Sequence, residues 1–240
     1  MKHVSKDAPP TDFDAWKAQA NEDWTPTYND LRDPEKRNLH SALLAEQGSV
    51  CCYCGRSISL EDSHIEHFRP QEQYAGLQLE YANLHASCMR GLRRSMPRHC
   101  GHAKENGFDE EQHIAPADPD CERRFMYTLR GEIVPADSED ERAKYMIGLL
   151  ALEAPTLRHL REEVLSQTLD PSFLATATQQ EGVKLIGLRV PLFRPEALHV
   201  VVDHDLAEQR HQHRDPLRRG AYDSVTQRDV LRSPSPEDRR

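Results

Sequence analysis

The chain has 240 residues, of which 37% are hydrophobic and 30% charged, and a formal net charge of -9; that suffices for one sizeable domain or two small ones but is polar for a compact enzyme. The acidity excludes a generally basic nucleic-acid coat, so any such surface must be local. No apolar run approaches about 18 residues and no charged-then-apolar leader stands at the start, so neither a membrane span nor a secretion signal is expected and the expected location is cytoplasmic.

Residues 1–48 read as a helical segment. Pro9-Pro10 mark an extended start. Phe13, Trp16, Trp24, Tyr28 and Leu31, interrupted by Pro26, predict a helix, a bend and a second helix. Asp33-Pro34 reads as an N-cap followed by a first-turn proline, and Leu39, Leu43 and Leu44 recur at helical spacing up to a stop at Gly48.

Residues 49–108 hold the chemistry-bearing residues. A short strand and knuckle are predicted over 50–56, a second strand over 63–68, and a returning strand from Leu77, Leu79 and Tyr81 to Asn83, with a helix from Leu84. Gly91 and Pro97 make 88–100 a looped insertion. Residues 109–170 follow as a turn-rich acidic stretch, a β-hairpin through Phe125, Tyr127, Leu129 and Ile133, and two core helices, one over 140–152 and one opened by Pro155. Residues 171–240 are poorly defined. They contain an apolar patch over 183–202, the histidines His199, His204, His211 and His213 with Asp203 and Asp205, and a Ser-Pro tail expected to be disordered.

Six cysteines with one Cys-x-x-Cys suit metal binding in a reducing compartment better than a disulfide framework. Cys51 and Cys54 can present two thiolates to one zinc, and Cys88 and Cys100 are the evident second pair, leaving Cys52 and Cys121 as ordinary thiols. His67 is the candidate general base, because a neutral imidazole accepts a proton near cellular pH. His64 reads as a supporting residue. Arg93, Arg94 and Arg98 lie in a stretch from 85 to 104 that carries no acid, and with Lys104 they are candidate phosphate contacts. A solvated arginine-rich loop is the plainer reading of the same stretch.

Taken together, Glu66-His67-x-x-Pro70, Asn83-Leu84 and Cys100-x-x-x-Lys104 resemble the motifs of HNH endonucleases. Leu43-Leu44-Ala45-Glu46-Gln47-Gly48 upstream, with Asp118-Pro119-Asp120-Cys121-Glu122 and Gly131-Glu132-Ile133-Val134-Pro135 downstream, extends the likeness to the HNH subunits of Septu-type and retron-associated anti-phage defence systems, over about residues 8 to 165. The resemblance implies an α+β fold with a ββα-metal core and a structural zinc site, surrounded by helices. It further implies metal-dependent hydrolysis of phosphodiester bonds in DNA or RNA, with Glu66 as a ligand of Mg2+ or Mn2+ and Asn83 pinning the loop that orients the base. Position 101, where the family has His or Asn, is glycine, so His102 is the preferred last ligand and His99 the alternative. The implied partners are an ATPase of the same system and, in some systems, a retron reverse transcriptase with its noncoding RNA. A zinc-stabilised scaffold that binds nucleic acid or protein without catalysis is the competing reading.

Overall fold

A computed structural model of the chain describes residues 1–91, 96–168, 184–186 and 201–202, the last two segments as backbone only. All of them fall within one compact unit, Met1–His204. The fold is mixed α/β with two small sheets.

Helix α1 (Thr11–Lys17) carries Asp12 and Asp14 in its first turn, which suits the positive end of the helix dipole, and buries Phe13. The second helix expected before residue 33 does not form. Asn21 and Trp24 bridge instead, and Asp30 Oδ2 accepts from the Thr27 amide at 2.9 Å and hydroxyl at 2.6 Å. Such local side-chain bonds offer the backbone an alternative to helix. Helix α2 (Glu35–Glu46) begins after Pro34 with no side-chain cap, so Asp33 does not cap it as expected; its buried residues are Leu39, His40, Leu43 and Leu44.

The helix hands over to the knuckle through Gln47. Its side chain is buried and works as a piece of strand edge: Nε2 donates to the carbonyls of Val50 at 2.8 Å and Ala86 at 2.9 Å, and Oε1 accepts from the Ala86 amide at 2.7 Å. The strand expected at 50–56 reduces to a single bridge, Val50 to Ser57. The chain turns between Cys51 and Arg56, with Gly55 at φ +73° and its amide on the Cys51 carbonyl at 3.0 Å.

Strand β1 (Ser63–His67) pairs antiparallel with β2 (Leu84–Cys88) in a register that sets Ser63 opposite Cys88 and Glu66 opposite His85. The returning strand is therefore 84–88, not 77–83, and no helix starts at Leu84. Residues 75–77 and 81–83 are short 3-10 turns. All five residues of β2 are buried, and a strand covered on both faces shows no alternation to read. A one-turn helix, α3 (Gly101–Lys104), follows.

The second sheet has the order β4-β3-β5-β6. Strands β3 (Phe125–Thr128) and β4 (Ile133–Pro135) form the expected hairpin, and β5 (Lys184–Ile186) and β6 (Val201–Val202) extend it from the apolar patch. Between them in sequence come α4 (Glu141–Leu149), capped by Asp140 accepting from the Ala143 amide, and α5 (Pro155–Thr168). Gly131 at the hairpin turn is required: its φ is +73°, and a Cβ there would meet the Arg158 carbonyl at 2.2 Å. Among the described residues no helix is long and apolar enough to cross a membrane. The C-terminal histidine group and the Ser-Pro tail lie outside the described residues.

Candidate functional site

The four thiols of Cys51, Cys54, Cys88 and Cys100 all lie within 4.8 Å of one another. The Cys54 and Cys88 sulfurs are 3.8 Å apart, and the corners of a zinc-thiolate tetrahedron with bonds of about 2.3 Å lie about 3.8 Å apart. The Cys88 amide points at the Cys51 sulfur at 3.4 Å. The site can hold a metal such as zinc. Three elements deliver the donors: the knuckle gives Cys51 and Cys54, the end of β2 gives Cys88, and Cys100 stands just before α3. Cys100 has φ +57° and is tied back by its amide to the Leu150 carbonyl at 2.8 Å. Burial raises the Cys51 thiol, but hydrogen bonds from Cys100, Cys52, Cys54 and Cys88 outweigh it and hold it well below the usual thiol range. Cys100 is pushed well up by burial and by its sulfur neighbours. Four crowded sulfurs cannot all ionise without a cation among them. Cys121 is engaged elsewhere, on the Pro116 carbonyl.

His99, the alternative to His102, joins this thiol group. Its Nδ1 lies 3.2 Å from the Cys100 sulfur and 3.6 Å from that of Cys88.

Strand alternation sends Glu66 and His67 to opposite faces of β1. On the Glu66 face, Oε1 accepts from the Tyr53 hydroxyl at 3.1 Å and faces the Lys104 ammonium at 2.9 Å. Oε2 faces His64 Nε2 at 3.5 Å. Burial raises this carboxyl, but His64 and Lys104 together outweigh it and hold it below the ordinary carboxylate value. The His102 ring lies 4.7 Å from the His64 ring, while its Nε2 reaches the Met89 carbonyl. Burial lowers the His102 pKa. Among the described residues the four thiols are the one group of three or more such side chains close enough to share an ion.

On the other face, His67 Nε2 meets the Gln78 carbonyl at 3.0 Å and its ring stands edge-on to Tyr28 at 4.5 Å. A carbonyl accepts only, so Nε2 carries the proton and Nδ1 is left as the basic nitrogen. Burial lowers the pKa of the ring, and the Gln78 bond offsets only part of that shift. Asn83 holds this neighbourhood. Its Oδ1 accepts from the Arg69 amide at 2.7 Å, and Nδ2 donates to the carbonyls of Arg69 at 3.0 Å and Leu77 at 3.1 Å. Leu77 precedes the residue that holds His67.

Lys104, expected to contact phosphate, turns inward instead. Its side chain is 2% exposed, its ammonium neutralises Glu66, and it donates to the His67 carbonyl at 2.9 Å. A buried carboxylate needs that countercharge. Arg98 is exposed and pairs with Glu105. Arg93 and Arg94 lie outside the described residues. A cleft of about 190 Å³ borders Glu66, His67, Pro70, Gly101 and Lys104.

Tyr53, Gln47 and Gln78 carry no local signal in the sequence, because their roles depend on contacts with residues elsewhere in the chain. His64 does carry one: two-residue spacing from Glu66 on a strand puts both on one face.

Fold and site define a small mixed α/β protein in which a four-thiol centre, able to hold a metal such as zinc, braces an acid-histidine pair and a pinned asparagine. No protein-family model matches the chain. The chain is 26% identical over 141 residues to a protein of Vibrio cholerae serotype O1 biovar El Tor that bears the name "Retron Vc95 putative HNH endonuclease". The match spans 56% of this chain and 66% of that relative, just short of two thirds of its length.

Proposed function

We propose that the chain is a metal-dependent HNH endonuclease that hydrolyses phosphodiester bonds in DNA or RNA, as the effector subunit of a Septu-type or retron-associated anti-phage defence complex. In this reading β1, β2 and α3 are the ββα-metal core, and zinc occupies the four thiols as a structural ion. The observation that carries the proposal is the seating of His67: its Nε2 is fixed on the Gln78 carbonyl, leaving Nδ1 as the nitrogen that can take a proton from water. Asn83 holds the loop between Arg69 and Leu77, so the ring's partner does not drift.

Glu66 and His102 are the residues that would hold Mg2+ or Mn2+. The fit rests on Glu66, whose Oε1 is oriented by Tyr53 and Lys104 while Oε2 is left to face His64. A divalent ion there supplies charge neutralisation at the phosphate and the departing oxygen. Arg93, Arg94 and Arg98 guide the nucleic-acid backbone, and Lys104 acts by setting Glu66. The partners are an ATPase of the same system and, in a retron setting, a reverse transcriptase and its noncoding RNA.

The test is cleavage of plasmid DNA and of total RNA by zinc-loaded protein, with and without the ATPase, in Mg2+ or Mn2+. Wild-type cleavage reduced at least about 100-fold by His67→Ala supports the role of the base; undiminished cleavage refutes it. A second reading, a zinc-stabilised binding scaffold without catalysis, is favoured by the ion pair that already neutralises Glu66 with Lys104. It predicts nucleic-acid or protein binding with no cleavage in any partner mixture.

A further inference from the structure

The one-turn helix α3 begins with Gly101, whose backbone packs against the Glu66 and His64 side chains. A Cβ built on Gly101 would lie 2.4 Å from Glu66 Oε2 and 2.9 Å from His64 Nε2. Real contacts of that kind do not occur, so any larger residue at 101 would displace the pair or require it to move. The position from which a longer side chain would reach Glu66 is therefore bare, and the imidazole of His64 fills the adjoining space from β1.

The two oxygens of Glu66 have different surroundings. Oε1 is held by the Tyr53 hydroxyl and the Lys104 ammonium. Oε2 faces His64 Nε2 at 3.5 Å, beyond the 2.7–3.2 Å of a well-formed N–H···O bond. Ligands about 2.1 Å from one ion lie about 3.0 to 3.6 Å apart when the angle between them is 90° to 120°. The observed spacing suits two donors to a common cation better than a hydrogen bond. His64 Nδ1 is buried and has no hydrogen-bond partner among the described residues, and the ring packs against that of His102 at 4.7 Å. His102, by contrast, is engaged with the Met89 carbonyl.

We infer that His64 is a nitrogen ligand of the divalent cation, taking with Glu66 Oε2 the place of the side chain that position 101 lacks. This rests on the proposed metal-dependent reading of the Glu66 site. It makes the acid and its i-2 neighbour on one strand face the primary pair, with His102 beside them as the third donor once it leaves Met89. An imidazole in the set also shifts preference from Mg2+, which favours oxygen donors, toward transition ions.

The experiment is Mn2+ binding to the full-length, zinc-loaded chain, read by electron paramagnetic resonance titration and by nitrogen modulation of the Mn2+ echo. Wild type is expected to bind Mn2+ with an imidazole nitrogen signature. His64→Ala should weaken binding at least about 10-fold and reduce that signature, and His64→Asn, which keeps a ligand atom, should restore part of the affinity without the signature. Zinc content and thermal melting report whether each variant is folded. Mn2+ affinity and nitrogen modulation unchanged in folded His64→Ala, but lost in Glu66→Gln, overturn the role of His64 and leave the nuclease reading standing. Mn2+ binding that depends on His64 in a chain that cleaves nothing supports the ligand and refutes the nuclease. Failure of wild type to bind Mn2+ at millimolar concentration overturns both.

Discussion

Asn83 grips Arg69 by both ends of its peptide backbone, accepting from the amide at 2.7 Å and donating to the carbonyl at 3.0 Å. The same side-chain amide reaches the Leu77 carbonyl at 3.1 Å, so one buried residue closes a loop that leaves β1 and returns toward β2. An ordinary helix cap would make one such bond. Asn83→Ala is expected to leave these backbone groups without partners and to lower stability by about 2–3 kcal/mol. Cleavage should fall by more than the folded fraction does, since the Gln78 carbonyl would no longer be held on His67. Urea denaturation and initial cleavage rates measure the two effects separately. Equal losses in both would mean that the loop is structural only.

The thiol centre makes a prediction about metal content. Cys88→Ser should abolish bound zinc and, because structural zinc supplies about 10–16 kcal/mol in small zinc domains, leave the core unfolded. Cys121→Ser should keep about one zinc per chain, since its sulfur is engaged with the Pro116 carbonyl and not with the cluster. Elemental analysis of the purified variants decides the matter, and loss of zinc in Cys121→Ser would contradict the assignment.

The Lys104–Glu66 pair is buried on both sides. Lys104→Met is expected to cost about 3–5 kcal/mol, because it strands a carboxylate away from water. Adding Glu66→Gln should recover part of that loss, with a coupling of about 1–3 kcal/mol in a double-mutant cycle. Additive effects of the two substitutions would place the ammonium elsewhere in solution.

His85 sits opposite Glu66 on β2, is 1% exposed, and burial lowers its pKa to about 3. In the unfolded chain the same ring protonates below about 6.5. Between those values the unfolded state takes up a proton that the native state refuses, so stability falls as the pH drops through that window. At pH 5 the loss from this one group is about 2 kcal/mol. His85→Leu should lack that part of the acid sensitivity, seen as a smaller difference between urea midpoints at pH 7 and pH 5 than in wild type. Matching differences would show that His85 protonates in the folded protein.

A further expectation concerns position 101. Gly101→Ala places a methyl group 2.4 Å from Glu66 Oε2, and the carboxylate must swing away or α3 must shift. Zinc content should be preserved while cleavage drops by about 10-fold or more, the effect of an ångström-scale misplacement at a reacting centre. Full activity in this variant would mean that Oε2 is not needed where it now lies.

The residues of the candidate site could be picked out from the chain alone, because their signal is local: two thiols on one turn, an acid beside a histidine, an asparagine before a buried strand. The terminal hairpin and helices were equally legible, through alternation at Phe125 and Tyr127 and through the Asp140 and Pro155 starts. Strand β2 was not, since its five buried residues carry no periodicity and the apolar Leu77, Leu79 and Tyr81 before it imitate a strand while forming turns. Only the tertiary structure decided where each histidine packs. His99 and His102 stand within three residues of each other, yet the sharp turn at Cys100, held on Leu150, sends one to the thiols and the other toward His64. The fate of Lys104 was likewise a matter of packing: a lysine after a cysteine reads as a surface cation until a buried carboxylate on β1 requires its charge.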